Sequence, residues 1–164
     1  MFNELQKIIK YLSNWKATGT GDIFNFLMKK FEAIHQPLYN VIKNINLETQ
    51  SESNWFYKRI TCLIPKKGLV FRPITCMSNL YKLTAKCATK VMQTIVENRD
   101  LLADNQLGTV RMTQGAKDQA LLNLAINKHY SNRLKTAWID VKKAFDSVDH
   151  NYLIKCLEKY SFPP

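Results

Sequence analysis

Residues 57–75 constrain the fold more than any other stretch, because two short β-favouring runs, RITCLI and LVFRPIT, flank the turn-forming PKKG in a chain otherwise patterned for helices. This spacing predicts a basic hairpin. Upstream, Phe2, Leu5, Ile8, Ile9 and Leu12 recur at helical spacing and predict a short first helix ending in the loop SNWKATGTGD. From Ile23 onward, Phe26, Leu27, Ile34, Leu38 and Ile42 predict a second helix, which Pro37 should end or kink. NLETQSESN then reads as a surface linker.

Downstream of the hairpin, Ser78 is placed to cap a helix running to about Arg99, with Leu80, Leu83, Cys87, Val91 and Ile95 along one face. The loop NQLGTVRMTQG leads to a further helix carrying Leu121, Leu122, Leu124, Ile126 and Tyr130. TAWIDV is a strand candidate, and Asp149 a cap for a last helix with Leu153, Ile154 and Leu157 that SFPP should halt. The fold class expected is α+β. The sequence stops where such a domain is expected to continue into further strands.

Composition bounds the function. A chain of 164 residues, 46% hydrophobic with five glycines and five prolines, reads as one globular domain able to bury a core. Such a size lets roughly 70% of the unfolded surface be buried. Lys and Arg number 24 against 13 acidic residues, a formal charge of +11, which favours a polyanionic partner through counterion release. Nucleic acid leads, and an anionic membrane surface trails, since no apolar span of about 20 residues is present. The opening MFNELQKIIKYLSNWK is too polar for a signal peptide, so an intracellular site is expected. Cys62, Cys76, Cys87 and Cys156 lack zinc-site spacing and read as small buried hydrophobes. His35, His129 and His150 have neither mutual spacing nor acidic partners that suggest catalysis.

The segment AWIDVKKAFDSVDH carries the chemistry: a strand is expected to deliver Asp140 at its carboxyl end, and a turn to present Phe145. It resembles the first palm motif of reverse transcriptases, most closely the LINE-type (non-LTR) retrotransposon enzymes, in which an aspartate, a few variable residues and AFD recur. Ala144, Phe145 and Asp146 match outright. Nucleotidyl transfer at a 3′ hydroxyl uses two divalent cations about 4 Å apart, bridged by carboxylates. The resemblance implies Mg²⁺ as the metal, Asp140 as a catalytic bridging ligand and the backbone carbonyl of Val141 as another. Phe145 would lie beneath the sugar of the incoming nucleotide and exclude a ribose 2′ hydroxyl.

LIPKKGLVFRPIT resembles the fingers hairpin of the same family, which implies that Lys66 and Arg72 grip a nucleotide triphosphate, with Lys67 an adjacent alternative. An ammonium and a bidentate guanidinium suit that anion. SNLYKL, DNQLG and QGAKDQ resemble the connection from fingers to palm, carried by Asn105, Gln106 and Gly108. WKATGTGDIFNFLMKKF resembles the W-K-A-P-G-x-D-G segment of LINE-type enzymes with a restriction-like endonuclease. Thr18 and Thr20 stand where prolines are common, and Gly21 with Asp22 reverses the usual order, so no role is carried over to that loop. The resemblance runs from about Trp15 to Pro164.

The cations Lys58, Arg59, Lys66, Lys67, Arg72, Lys82, Lys86, Lys90 and Arg99 are opposed only by Glu97 between Tyr57 and Arg99, as a phosphate-tracking groove requires. Asp146 and Asp149 read as a turn partner and a helix cap rather than metal ligands. The resemblance thus implies the fingers and start of the palm of a right-hand polymerase. Residues 1–50 would be a helical segment leading into the fingers, 51–134 the fingers, and 135–164 the first palm strand and helix.

Its partners would be an RNA template, a DNA primer and deoxynucleoside triphosphates, at a nuclear site by family analogy. Asp140 and Arg72 are expected to face one cleft. The family's second carboxylate motif, Y/F-x-D-D, is not in this sequence, so these residues alone are not expected to polymerise. The alternative is a non-catalytic nucleic-acid-binding remnant or domesticated module that keeps the basic fingers.

Overall fold

The computed structural model describes residues 2–21, 23–47, 54–66, 70–103, 106, 114–130, 133–135 and 137–162. They fall into two compact units, Met1–Gln93 and Thr94–Pro164.

In the first unit the periodic apolar residues form the helix expected of them: α1 spans Phe2–Lys10 and buries Leu5 and Ile9. α2 (Asn25–Lys30) stops at Phe31, whose dihedrals leave the helical region at φ −98° and ψ 79°. A 3₁₀ turn, Glu32–Ile34, then leads into α3 (His35–Leu47). The second helix is therefore broken ahead of Pro37, not at it. Pro37 sits in the first turn of α3, where a missing N–H leaves no intrahelical bond unmade.

Leu5, Ile9, Leu12, Met28, Ile42 and Leu83 form the core, with Ile8, Leu38, Tyr39, Leu80 and Cys87 packed against it. After the short α4 (Asn54–Tyr57), strands β1 (Arg59–Pro65) and β2 (Phe71–Met77) pair antiparallel from Arg59↔Met77 to Pro65↔Phe71. The linker residues 48–53 and the hairpin tip 67–69 lie outside the described residues. Ser78 accepts the N–H of Tyr81 at 3.1 Å and so caps α5 (Asn79–Asn98), as its residue type led one to expect.

α5 ends on Asp100 at φ +47°, with Asp100 N–H donating to Glu97 and Leu101 N–H to Val96, the bond pair of a Schellman motif. α7 (His150–Lys159) ends in the same way. Ser161 takes φ +52°, Ser161 N–H donates to Glu158 and Phe162 N–H to Leu157. The left-handed Ser161 therefore terminates this helix before the two prolines are reached. Its start is capped as expected, Asp149 accepting the N–H of Tyr152 at 3.0 Å.

The second unit also holds α6 (Gly115–Tyr130), whose first turn is tied by Gln114 N–H donating to Asp118 at 3.0 Å. Leu121, Leu122 and Leu124 are exposed, as are Leu153, Ile154 and Leu157 on α7. Among the described residues of this unit none is buried, so the core expected for the chain is confined to the first unit. TAWIDV does not form the expected strand. Residues 137–141 have no regular structure and 142–147 form turns. A strand needs a neighbour to accept its ladder of N–H and C=O groups, and β1 and β2 are the only strands among the described residues.

All four cysteines are free, and Cys62 is exposed rather than buried. Half-buried Cys87 packs on the core, and burial pushes its thiol pKa up. Among the described residues no helix is long and apolar enough to cross a membrane.

Candidate functional site

The hairpin register decides which side chains share a face. Ile64 pairs with Arg72, and the Lys66 N–H donates to the Val70 carbonyl at 2.8 Å, extending the ladder by one step. Side chains alternate along a strand and opposite residues share a face, so Lys66 and Arg72 are diagonal neighbours on one side of the hairpin. Both are exposed. The other face carries Thr61 and Thr75, whose hydroxyls bond at 3.0 Å. Lys67 lies outside the described residues.

The base of this hairpin is held by the loop whose sequence departed from the family pattern. Gly19 takes φ +69° and packs against the backbone where β2 ends; a Cβ there would lie 2.5 Å from the Met77 carbonyl oxygen. Only glycine fits. The Thr20 hydroxyl donates to the Lys58 carbonyl at 3.3 Å, and the Asn79 amide donates to the Ile23 carbonyl at 2.8 Å. The Lys82 ammonium donates to the Ala17 carbonyl and to Asn79. The departure from the family pattern gave this loop no role in the sequence, yet its backbone and the Thr20 hydroxyl hold the base of the hairpin. The one signal available was Gly19 itself.

The basic run divides by environment. Lys58 and Arg59, where the hairpin begins, are exposed, as is Lys86 on α5. Lys82 is half-buried and engaged by the loop. Lys90 is also half-buried; the Glu4 carboxyl is held below its usual range by its hydrogen bond from Lys7 and the Lys7 charge, to which the Lys90 charge adds. Arg99 donates to the Tyr160 carbonyl at 2.7 Å, a cation at the carboxyl end of α7. Gln106 is exposed, while Asn105 and Gly108 lie outside the described residues.

In the second unit Asp140 is exposed, but it does not stand at a strand end. Val141 is 59% exposed and Phe145 97%. Lys143 takes φ +52°, and the turn is closed by Ser147, whose N–H donates to Lys143 and whose hydroxyl donates to Ala144, each at 2.9 Å. No group of three His, Cys, Asp or Glu side chains that could hold a metal occurs among the described residues. Asp140 and Val141 therefore do not by themselves fit a two-cation site. Lys66 and Arg72 belong to the first unit, and Asp140 and Phe145 to the second.

The family described as reverse transcriptase (RNA-dependent DNA polymerase) matches residues 64–164, which include Lys66, Arg72, Asp140 and Phe145. The chain belongs to the reverse transcriptase family. Two transposon proteins are similar to it. One is the transposon TX1 uncharacterized 149 kDa protein of Xenopus laevis, 31% identical over 99% of this chain. The other is a probable RNA-directed DNA polymerase from transposon BS of Drosophila melanogaster, 26% identical over 95%. The chain spans 13% and 18% of those relatives. No solved structure matches it. The family match and the transposon relatives together support a reverse transcriptase of the non-LTR retrotransposon kind, whose mixed helices and hairpin fit a fragment of that fold.

Proposed function

We propose that this chain supplies the fingers and the opening of the palm of a right-hand RNA-directed DNA polymerase. The element would be a non-LTR retrotransposon nearest the restriction-like-endonuclease branch. Residues 1–50 lead into the fingers, 51–134 form them, and 135–164 begin the palm. The observation that carries this reading is the diagonal placement of Lys66 and Arg72 on one exposed hairpin face inside the matched segment. Two cations so placed can hold the phosphates of a deoxynucleoside triphosphate, the guanidinium through paired hydrogen bonds. Lys67, next to Lys66 in the sequence, adds to that charge.

In the whole polymerase Asp140 and the Val141 carbonyl would be among the ligands that hold Mg²⁺, which would supply charge stabilisation for nucleotidyl transfer. Phe145, wholly exposed here, is free to lie against a deoxyribose and exclude a 2′ hydroxyl. Lys58, Arg59, Lys86, Lys90, Gln106 and Gly108 lie along the RNA template and DNA primer, with half-buried Lys82 joining them through the one N–H donor its two bonds leave. The work is done in the nucleus.

The test is a chimera in which this chain replaces the segment it matches in the Drosophila transposon protein, assayed for primer extension on an RNA template. Arg72→Ala should raise KM for deoxynucleotides about tenfold, the loss of a charge-assisted contact. Asp140→Asn should lower kcat at least about a hundredfold. Phe145→Ala should admit ribonucleotides. Wild-type extension by the Asp140→Asn chimera would end this reading, and an inactive but folded chimera that still binds RNA would favour the non-catalytic module.

A further inference from the structure

We propose that the loop 13–21 sets the angle at which the hairpin presents Lys66 and Arg72, which makes Gly19 and Lys82 positioning residues for the triphosphate. This rests on the reading of those two cations as the grip on the incoming nucleotide. The hairpin is a cantilever. Every residue of β1 is exposed, as is β2 from Phe71 to Thr75, and only Cys76 and Met77 at its base are half-buried. Side chains exposed along the length of both strands leave the direction of the hairpin to whatever holds its base.

The loop closes on both strands at that base. Its 3₁₀ turn, Gly19–Gly21, touches β1 and β2 alike. The Thr20 hydroxyl donates to the carbonyl of Lys58, the residue ahead of β1, and Gly19 lies against the backbone of Met77, the last residue of β2. The loop is itself pinned to the core. The buried Asn25 amide donates to the Ser13 carbonyl at 2.7 Å, the Phe26 N–H donates to the Asn14 carbonyl at 3.3 Å, and the Trp15 ring stacks on Phe26 with centroids 5.2 Å apart. Asn25 and Phe26 belong to α2, whose Met28 is a core residue. From α5 the Lys82 ammonium holds the Ala17 carbonyl, and Leu83, next in sequence, is wholly buried. The packed helices thus reach the hairpin through this loop.

Leverage converts this contact into function. Lys66 lies seven residues beyond Arg59 and Arg72 five before Met77, about 17–24 Å from the base at roughly 3.4 Å per residue. Over that length a tilt of about 5° moves both cations about 2 Å. Charge-assisted hydrogen bonds from a guanidinium to phosphate need separations of about 2.7–2.9 Å and do not survive such a shift. Gly19 sets the tilt because it allows the loop and β2 to meet backbone to backbone. A Cβ there would lie 2.5 Å from the Met77 oxygen, so a methyl group must push the end of β2 away from the loop.

Two measurements test this. In the chain itself, residual dipolar couplings of backbone amides report how β1 and β2 lie relative to α1 and α3. Gly19→Ala should keep the strand pairing and the couplings within α1 and α3, and rotate the hairpin by at least about 5°. An unchanged orientation would overturn the proposal. In the chimera with the Drosophila transposon protein, at saturating template and primer, Gly19→Ala should raise KM for deoxynucleotides at least about threefold and leave kcat within about twofold. A loop that merely stabilised the fold would lower the active fraction, and so kcat, with KM unmoved. In an Arg72→Ala background the same change should raise KM less than it does alone, because part of what it positions is gone; an undiminished rise would overturn the proposal. Should Gly19→Ala fail to fold, Lys82→Met, which releases the Ala17 carbonyl and adds nothing at Gly19, should raise KM in its place, and Lys82→Arg should restore it. A KM raised by Arg72→Ala but unmoved by either loop variant would sink the positioning role alone. No change with Arg72→Ala would sink the triphosphate grip, and the positioning role with it.

Discussion

Gly19 shows how a single residue fixes the geometry of a region far from it in sequence. Its φ of +69° and its approach to the Met77 backbone leave no room for a side chain. Gly19→Ala should cost about 2–4 kcal/mol, the left-handed penalty plus the overlap, read as a lower urea midpoint with an unchanged slope. An unchanged midpoint would show that the loop does not hold the hairpin. At this scale the sequence was legible wherever a side chain acts on its own neighbours, as with the Ser78 and Asp149 caps. It was not legible where the role comes from a distant contact. Lys82 looked like a free cation and is engaged by the Ala17 carbonyl 65 positions away. His35 looked inert because neither its Met28 partner nor its unsatisfied nitrogen can be seen in a string of letters.

Elements that carry their own instructions formed as read. The apolar stripe of α1 predicted its buried face, that of α5 held at Leu80, Leu83 and Cys87 but not at exposed Val91, and the β-formers around PKKG predicted the hairpin. Leu83, wholly buried at the centre of the first unit, follows from that stripe. Leu83→Ala should destabilise the chain by about 2–5 kcal/mol in a denaturant melt, the cost of a core cavity. A loss below about 1 kcal/mol would mean that the site collapses around the deletion. TAWIDV failed for the opposite reason. Whether such a run is a strand depends on an adjacent edge to pair with, and β-propensity alone supplies none. Pro37 was misread because the same residue breaks a helix interior and suits a first turn; position, not identity, decides.

For the molecule as a whole, the distribution of burial matters more than its amount. The core cluster lies in the first unit, and the described residues from Thr94 onward contribute no buried side chain. Opening free energies should differ accordingly. Backbone amides near Ile42 and Leu83 should exchange with deuterium at least about tenfold more slowly than those of α6 and α7. Equal protection would show that the second unit is held by more than its own helices. The family match starts at residue 64, which lies within β1 (Arg59–Pro65). Scissors applied there would split a strand, discard Leu5, Ile9, Leu12, Met28 and Ile42, and leave the hairpin without the glycine beneath it. Any recombination or cloning that means to transplant this part of a polymerase must carry the preceding helices as cargo, since the edge of the family match cuts through a folded hairpin whose support lies upstream.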